Sequence, residues 1–135
     1  MIKIRDILHH LEYINSFESK RQTYYIYKGK KYYLLLTLSA RKENAGNFTL
    51  ISFKAIDSVY RKFKGKKGVT SNDIFYSSKN KGYRRYIKSA LDALNVLYVL
   101  TVIGFAAKDN RYKGKQLFFN IKKKPNPPIN PTAFS

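Results

Sequence analysis

The chain has no cysteine, no tryptophan, two histidines and only eight acidic residues among 135. Without Cys there can be no disulfide, no thiolate metal site and no cysteine nucleophile. His9 and His10 are sequence neighbours that a helix would point in different directions, so a histidine-rich zinc site has no basis. Seven Gly and four Pro are too few for a collagen-like or low-complexity chain. Long apolar runs are also lacking. Residues 91–107 come nearest but are broken by Asp92, Asn95, Thr101 and Gly104, short of the roughly 20 apolar residues that span a bilayer. The opening MIKIRDILHH lacks the apolar core and small-residue cleavage site of a signal peptide. The expectation is a soluble intracellular protein, cytoplasmic or nucleoid-associated, with no membrane partner.

The scarcity of acids weighs against hydrolytic chemistry. A metal-dependent nuclease needs clustered carboxylates to hold Mg²⁺ and activate water, and Asp6, Glu12, Glu18, Glu43, Asp57, Asp73, Asp92 and Asp109 are scattered along the chain. At Ser52-Phe53-Lys54, the nearest equivalent of a restriction-type motif, the carboxylate is missing. Neither a P-loop nor a G-x-G-x-x-G is present. The expectation is a non-enzyme with no catalytic residues, no metal and no cofactor.

What is abundant is positive charge. Lys and Arg total 27, giving a formal net charge of +19. Such a charge opposes compaction by self-repulsion unless a polyanion lies against it. Aromatics are plentiful too, with 12 Tyr and 9 Phe, and the apolar share of 44% can build a real core. A basic, Tyr-rich chain of this size points to a nucleic-acid partner.

Three stretches emerge from the pattern. Ile4, Ile7, Leu8, Leu11 and Ile14 stand at the i, i+3, i+4 spacing of an amphipathic helix, which Ile2 and Phe17 can extend. TYYIY and YYLLLTLS, separated by KGKK, read as a β-hairpin with aromatics on both faces; NFTLISF supplies a third strand. From Lys54 the period becomes helical through Ile56, Val59, Tyr60 and Phe63 until GKKG stops it. Thr70 or Ser71 can cap a short helix over residues 72–75. Tyr83, Ile87, Ala90, Leu91, Leu94 and Leu97 then form the apolar face of a helix over residues 83–97, with Arg84, Arg85, Lys88, Asp92 and Asn95 on its other face. VLTVIGFAAK, the tip DNRYKGK and QLFFNIK read as a second hairpin. KKKPNPPINPTAFS is proline-broken and reads as a disordered basic tail.

Helix, short helix, turn, long helix and hairpin, over AIDSVYRKF, TSNDIF, YRRYIKSALDALNVL and the hairpin around DNRYKGK, resemble the winged helix-turn-helix superfamily. The resemblance covers residues 54–122, about half the chain. The expected fold class is therefore α+β: a winged helix-turn-helix domain over 54–122, preceded over 1–53 by an N-terminal helix and a small antiparallel β-sheet that is accessory or dimerising, and followed over 123–135 by the tail. The resemblance implies that IKSALDALNVLYVL is the recognition helix entering the wing's first strand. An α-helix fits the major groove, where Arg can pair bidentately with guanine. Arg84, Arg85, Lys88 and Ser89 are then the candidates for base contact. Lys79, Lys81, Lys108, Arg111, Lys113 and Lys115 are candidates for phosphate contact, which sets register without reading sequence. The functional expectation is duplex DNA binding, as a regulator or a mobile-element replication or partition factor, with a homodimer as one assembly. The alternative is an RNA-binding or ribosome-associated protein that uses the Tyr-rich sheet and basic loops, since RNA modules stack unpaired bases on aromatics.

Overall fold

In a computed structural model the chain is a mixed α+β protein. The structure describes residues 10–19, 22–38, 46–77, 86–111 and 116–125. Among the described residues four strands come first: β1 (Glu12–Glu18), β2 (Thr23–Lys28), β3 (Tyr32–Leu38) and β4 (Gly46–Ser52). They form an antiparallel sheet in chain order. The described helices follow, α1 (Phe53–Phe63), α2 (Ser71–Ser77) and α3 (Ala90–Val102), then a short hairpin of β5 (Ala106–Lys108) and β6 (Phe119–Ile121).

The two expected hairpins, the third strand of the sheet, the helix after Lys54 and the short helix after Thr70 are all present. Two expectations need correction. The stretch around Leu11, Ile14 and Phe17 is not helical, because residues 12–18 are β1 paired to β2. Residues 1–9, the rest of that expected N-terminal helix, lie outside the described residues. The long helix does not run over 83–97. It begins at Ala90 and continues to Val102, taking up the residues expected to open the second hairpin.

The sheet has two unlike faces. Phe17, Ile26, Tyr33, Leu35 and Ile51 point toward the helices and join one core with Ile56, Val59, Ile74, Val96, Leu97 and Phe119. That core crosses the 53/54 boundary at which two units were expected. On the other face, register aligns Tyr13, Tyr27, Leu34 and Leu50 in one row and Ser16, Tyr25, Leu36 and Phe48 in the next. Neither row carries a charge.

Local chemistry sets each helix start. The Ser52 side chain accepts from the Ala55 N–H at 3.1 Å to cap α1. Thr70 and Asp73 form a reciprocal capping box on α2: the Asp73 N–H donates to Thr70 Oγ1 (3.2 Å) and the Thr70 N–H to Asp73 Oδ2 (2.9 Å). α3 is apolar almost all round, with Ala93, Val96, Leu97, Tyr98, Val99 and Leu100 buried, as a helix in the middle of a core should be. Tyr98 stacks on Phe17 at 4.4 Å between ring centroids and meets Tyr24 at 4.6 Å, tying α3 to β1 and β2. Gly104, at φ +89°, ends the helical stretch and turns the chain into β5.

Candidate nucleic-acid interface

The hairpin β5–β6 is fixed to the loop ahead of α2. Val69 and Phe119 exchange hydrogen bonds in both directions, at 2.8 and 2.9 Å, forming an isolated antiparallel bridge. The Gly68 N–H adds a bond to Asn120 Oδ1 at 3.0 Å. Phe119 is fully buried. The loop ahead of α2, the hairpin and α3 thus form one packed unit.

The start of α3 is the next component. Ile87 is fully buried and anchors the segment entering the helix, whereas Lys88 is exposed. Ser89 has extended backbone and caps α3, its hydroxyl oxygen accepting from the Asp92 N–H at 3.1 Å. Asp92 in turn accepts from the Lys88 N–H at 3.0 Å. A carboxylate in the first turn also suits the positive end of the helix dipole.

Residues 86–89, directly ahead of α3, are not helical. Lys88 and Ser89 therefore precede the helix instead of standing on its flank. Within Ala90–Val102 there is no Lys or Arg at all. Asn95, read as part of the solvent face, is buried, and Leu91, read as core, is 60% exposed. Arg84, Arg85, Lys79 and Lys81 lie outside the described residues.

At the hairpin turn the organising residue is Asp109. Its carboxylate is buried and accepts from three Arg111 donors: the backbone N–H (3.0 Å), Nε (2.9 Å to Oδ1 and 3.2 Å to Oδ2) and Nη2 (2.6 Å). The Arg111 side chain is the main reason the Asp109 carboxyl titrates well below the usual carboxylate range; burial opposes the shift, while the Arg111 N–H and the Asn120 side chain assist it. The Asp109 N–H also donates to the Phe118 carbonyl at 2.8 Å, closing the turn. Arg111 is thereby aimed by a neighbouring carboxylate while its side chain stays 70% exposed. Lys108 is half-buried on β5, and Lys113 and Lys115 lie outside the described residues.

The carboxylates of this half of the chain have local structural work. Asp57 pairs with Arg61 at 3.1 Å on α1, Asp73 and Asp92 serve helix starts, and Asp109 holds Arg111. No group of three or more metal-ligating side chains occurs among the described residues, and no helix among them is long and apolar enough to cross a membrane. No family model, curated protein or solved structure matches the chain.

Proposed function

We propose that the chain binds duplex DNA in the manner of a winged helix-turn-helix protein, with the start of α3 and the segment before it directed at the major groove and the β5–β6 turn at the backbone. The observation that carries this reading is the Val69–Phe119 bridge. It fastens a hairpin with a basic turn to the segment leading into α2, so that helix pair and hairpin can meet one ligand as a unit.

Because α3 itself has no cation, the positive charge falls to the entry segment: Lys79, Lys81, Arg84, Arg85 and Lys88. Arg84 and Arg85 are assigned to base reading. Lys108 and Arg111, with Lys113 and Lys115, are assigned to phosphates. The process served is regulation, or the replication or partition of a mobile element. Selection of bound fragments from a random duplex library tests the reading. A recovered motif, with preference for it lost in Arg84→Ala plus Arg85→Ala, supports base readout, each good bidentate pair being worth about 1–3 kcal/mol of discrimination. Fragments without a shared motif would leave only sequence-independent binding.

A second reading, RNA binding, is favoured by one feature: the outward rows of the sheet carry Tyr13, Tyr25 and Tyr27, with the Tyr13 and Tyr27 rings edge-on at 5.2 Å. Tyr33 is fully buried in the core and is no part of such a platform. Displacement of duplex DNA by single-stranded RNA, with weakened RNA binding in Tyr25→Ala, would favour this reading over the first. A homodimer would draw on the apolar half of the same face, where Phe48 and Leu50 are each 50% exposed. Sedimentation of Leu50→Glu beside the parent decides that point.

A further inference from the structure

Two basic runs more than fifty residues apart in sequence are brought to one place by main-chain bonds. The first follows α1: Lys64, Lys66 and Lys67, set around Gly65. The second follows β6: Lys122, Lys123 and Lys124. The Gly65 N–H donates to the Ile121 carbonyl at 3.0 Å, and the Ile121 N–H donates to the Lys66 carbonyl at 2.8 Å. From α1 the buried Tyr60 donates its hydroxyl to the carbonyls of Lys122 (2.9 Å) and Lys123 (3.3 Å). Gly65 sits at φ +81°, and a Cβ there would come within 3.1 Å of Lys123 Cγ. The two runs are therefore in side-chain contact range, and the juncture is built from backbone; of the ammonium groups, that of Lys66 rests over the Phe63 ring at 5.1 Å.

Five of these lysines are exposed, and only Lys122 is half-buried. None of the positions in either run is acidic. Concentrating like charge in this way is unfavourable in the free protein and favourable only against a polyanion. The position matters as well. Along β6 the chain runs from the turn bond at Phe118 through Phe119 to Ile121, so the lysines lie at the opposite end of the hairpin from Arg111. At about 3.3 Å per residue the strand separates the two basic regions by roughly 13 Å between residues 118 and 122.

We propose that this lysine knob is a second, sequence-independent grip on the phosphate backbone of nucleic acid, separate from the hairpin turn. It rests on the nucleic-acid reading given above and deepens it. Lysines act as point charges on phosphates without reading bases, and the knob lacks exposed apolar side chains of the kind that anchor a protein partner. Its contribution is affinity, and its signature is the release of counterions.

The test compares the parent with Lys64→Gln/Lys67→Gln/Lys123→Gln/Lys124→Gln, binding a random-sequence duplex at several salt concentrations. The bonds that shape the knob are to backbone groups, so the unfolding midpoint of the variant stays that of the parent. If all four contact phosphates, the slope of log affinity against log salt flattens by about 0.9 per lost contact. The fall in affinity between 50 and 200 mM salt then shrinks on the order of a hundredfold. A steep parental slope unchanged in this variant overturns the grip alone. A flattened slope here, with none in Lys88→Gln/Lys108→Gln/Arg111→Gln, supports the grip and overturns the winged-helix interface. A parent that binds neither duplex DNA nor RNA overturns both.

Discussion

Replacing Ser89 by alanine separates two roles for one hydroxyl, cap and base reader. Its oxygen accepts from the Asp92 N–H at 3.1 Å, and the Asp92 carboxylate holds the Lys88 N–H at 3.0 Å, so one substitution strips an acceptor from the first turn of α3. Losing a serine cap costs about 1 kcal/mol, within a range of about 0.5–2. Because α3 supplies Val96, Leu97 and Tyr98 to the centre of the core, the loss is felt by the whole domain. With a urea dependence of about 1–3 kcal/mol per molar, the unfolding midpoint falls by roughly 0.3–1 M. Ser89→Gly loses only a few tenths of a kcal/mol, and Ser89→Asp keeps the cap. Urea unfolding followed by circular dichroism measures all three, with base preference measured in parallel on the folded proteins. If Ser89→Ala unfolds like the parent yet changes which base is preferred, the capping assignment is refuted.

Asn95 is buried on α3 with its Oδ1 lacking any hydrogen-bond partner; Asn95→Leu removes an unpaired acceptor and should raise stability by about 1–3 kcal/mol, read from the unfolding midpoint. Phe119 is fully buried against the rings of Phe17 and Tyr98, so Phe119→Ala should cost about 3–5 kcal/mol by calorimetry. Burial pushes the Tyr33 phenol up to about 12, and burial, with Tyr24 beside it, also raises Tyr98. These folded values lie above the ordinary tyrosine pKa of about 10. The neutral phenols thus contribute stability that is whole below pH 10 and lost as pH climbs through the raised values. Burial also raises Tyr27 and Tyr60, so a spectrophotometric titration of the native protein should show these four ionising late, and simultaneous titration of all the tyrosines would contradict it.

The hairpins and the helix after Lys54 were legible because their signals are local: alternating aromatics, a Gly-containing connection, and i, i+3, i+4 spacing. The error at β1 has a definite cause. A register shift between Tyr13 and Asn15 puts both Ile14 and Phe17 on the core side, so a bulged strand imitates the three-residue spacing of a helix. The limits of α3 failed for another reason. Residues 96–100 are buried on every side, and a continuous apolar run does not distinguish helix from strand by periodicity. Ser89 three residues before Asp92 was a readable start signal, but the apolar spacing from Tyr83 outweighed it. The lysine knob was out of reach, since its halves meet only through long-range backbone bonds. The sequence-assigned cations Arg84, Arg85, Lys79, Lys81, Lys113 and Lys115 lie outside the described residues. Lys88 and Arg111 gained definite settings that composition does not supply.

The most direct measurement is equilibrium binding of the full chain to a fluorescent DNA duplex between 50 and 200 mM salt. With six or more phosphate contacts, affinity falls by a factor of about a thousand or more across that range. A duplex affinity that stays level, or no binding at the lowest salt, would contradict the account.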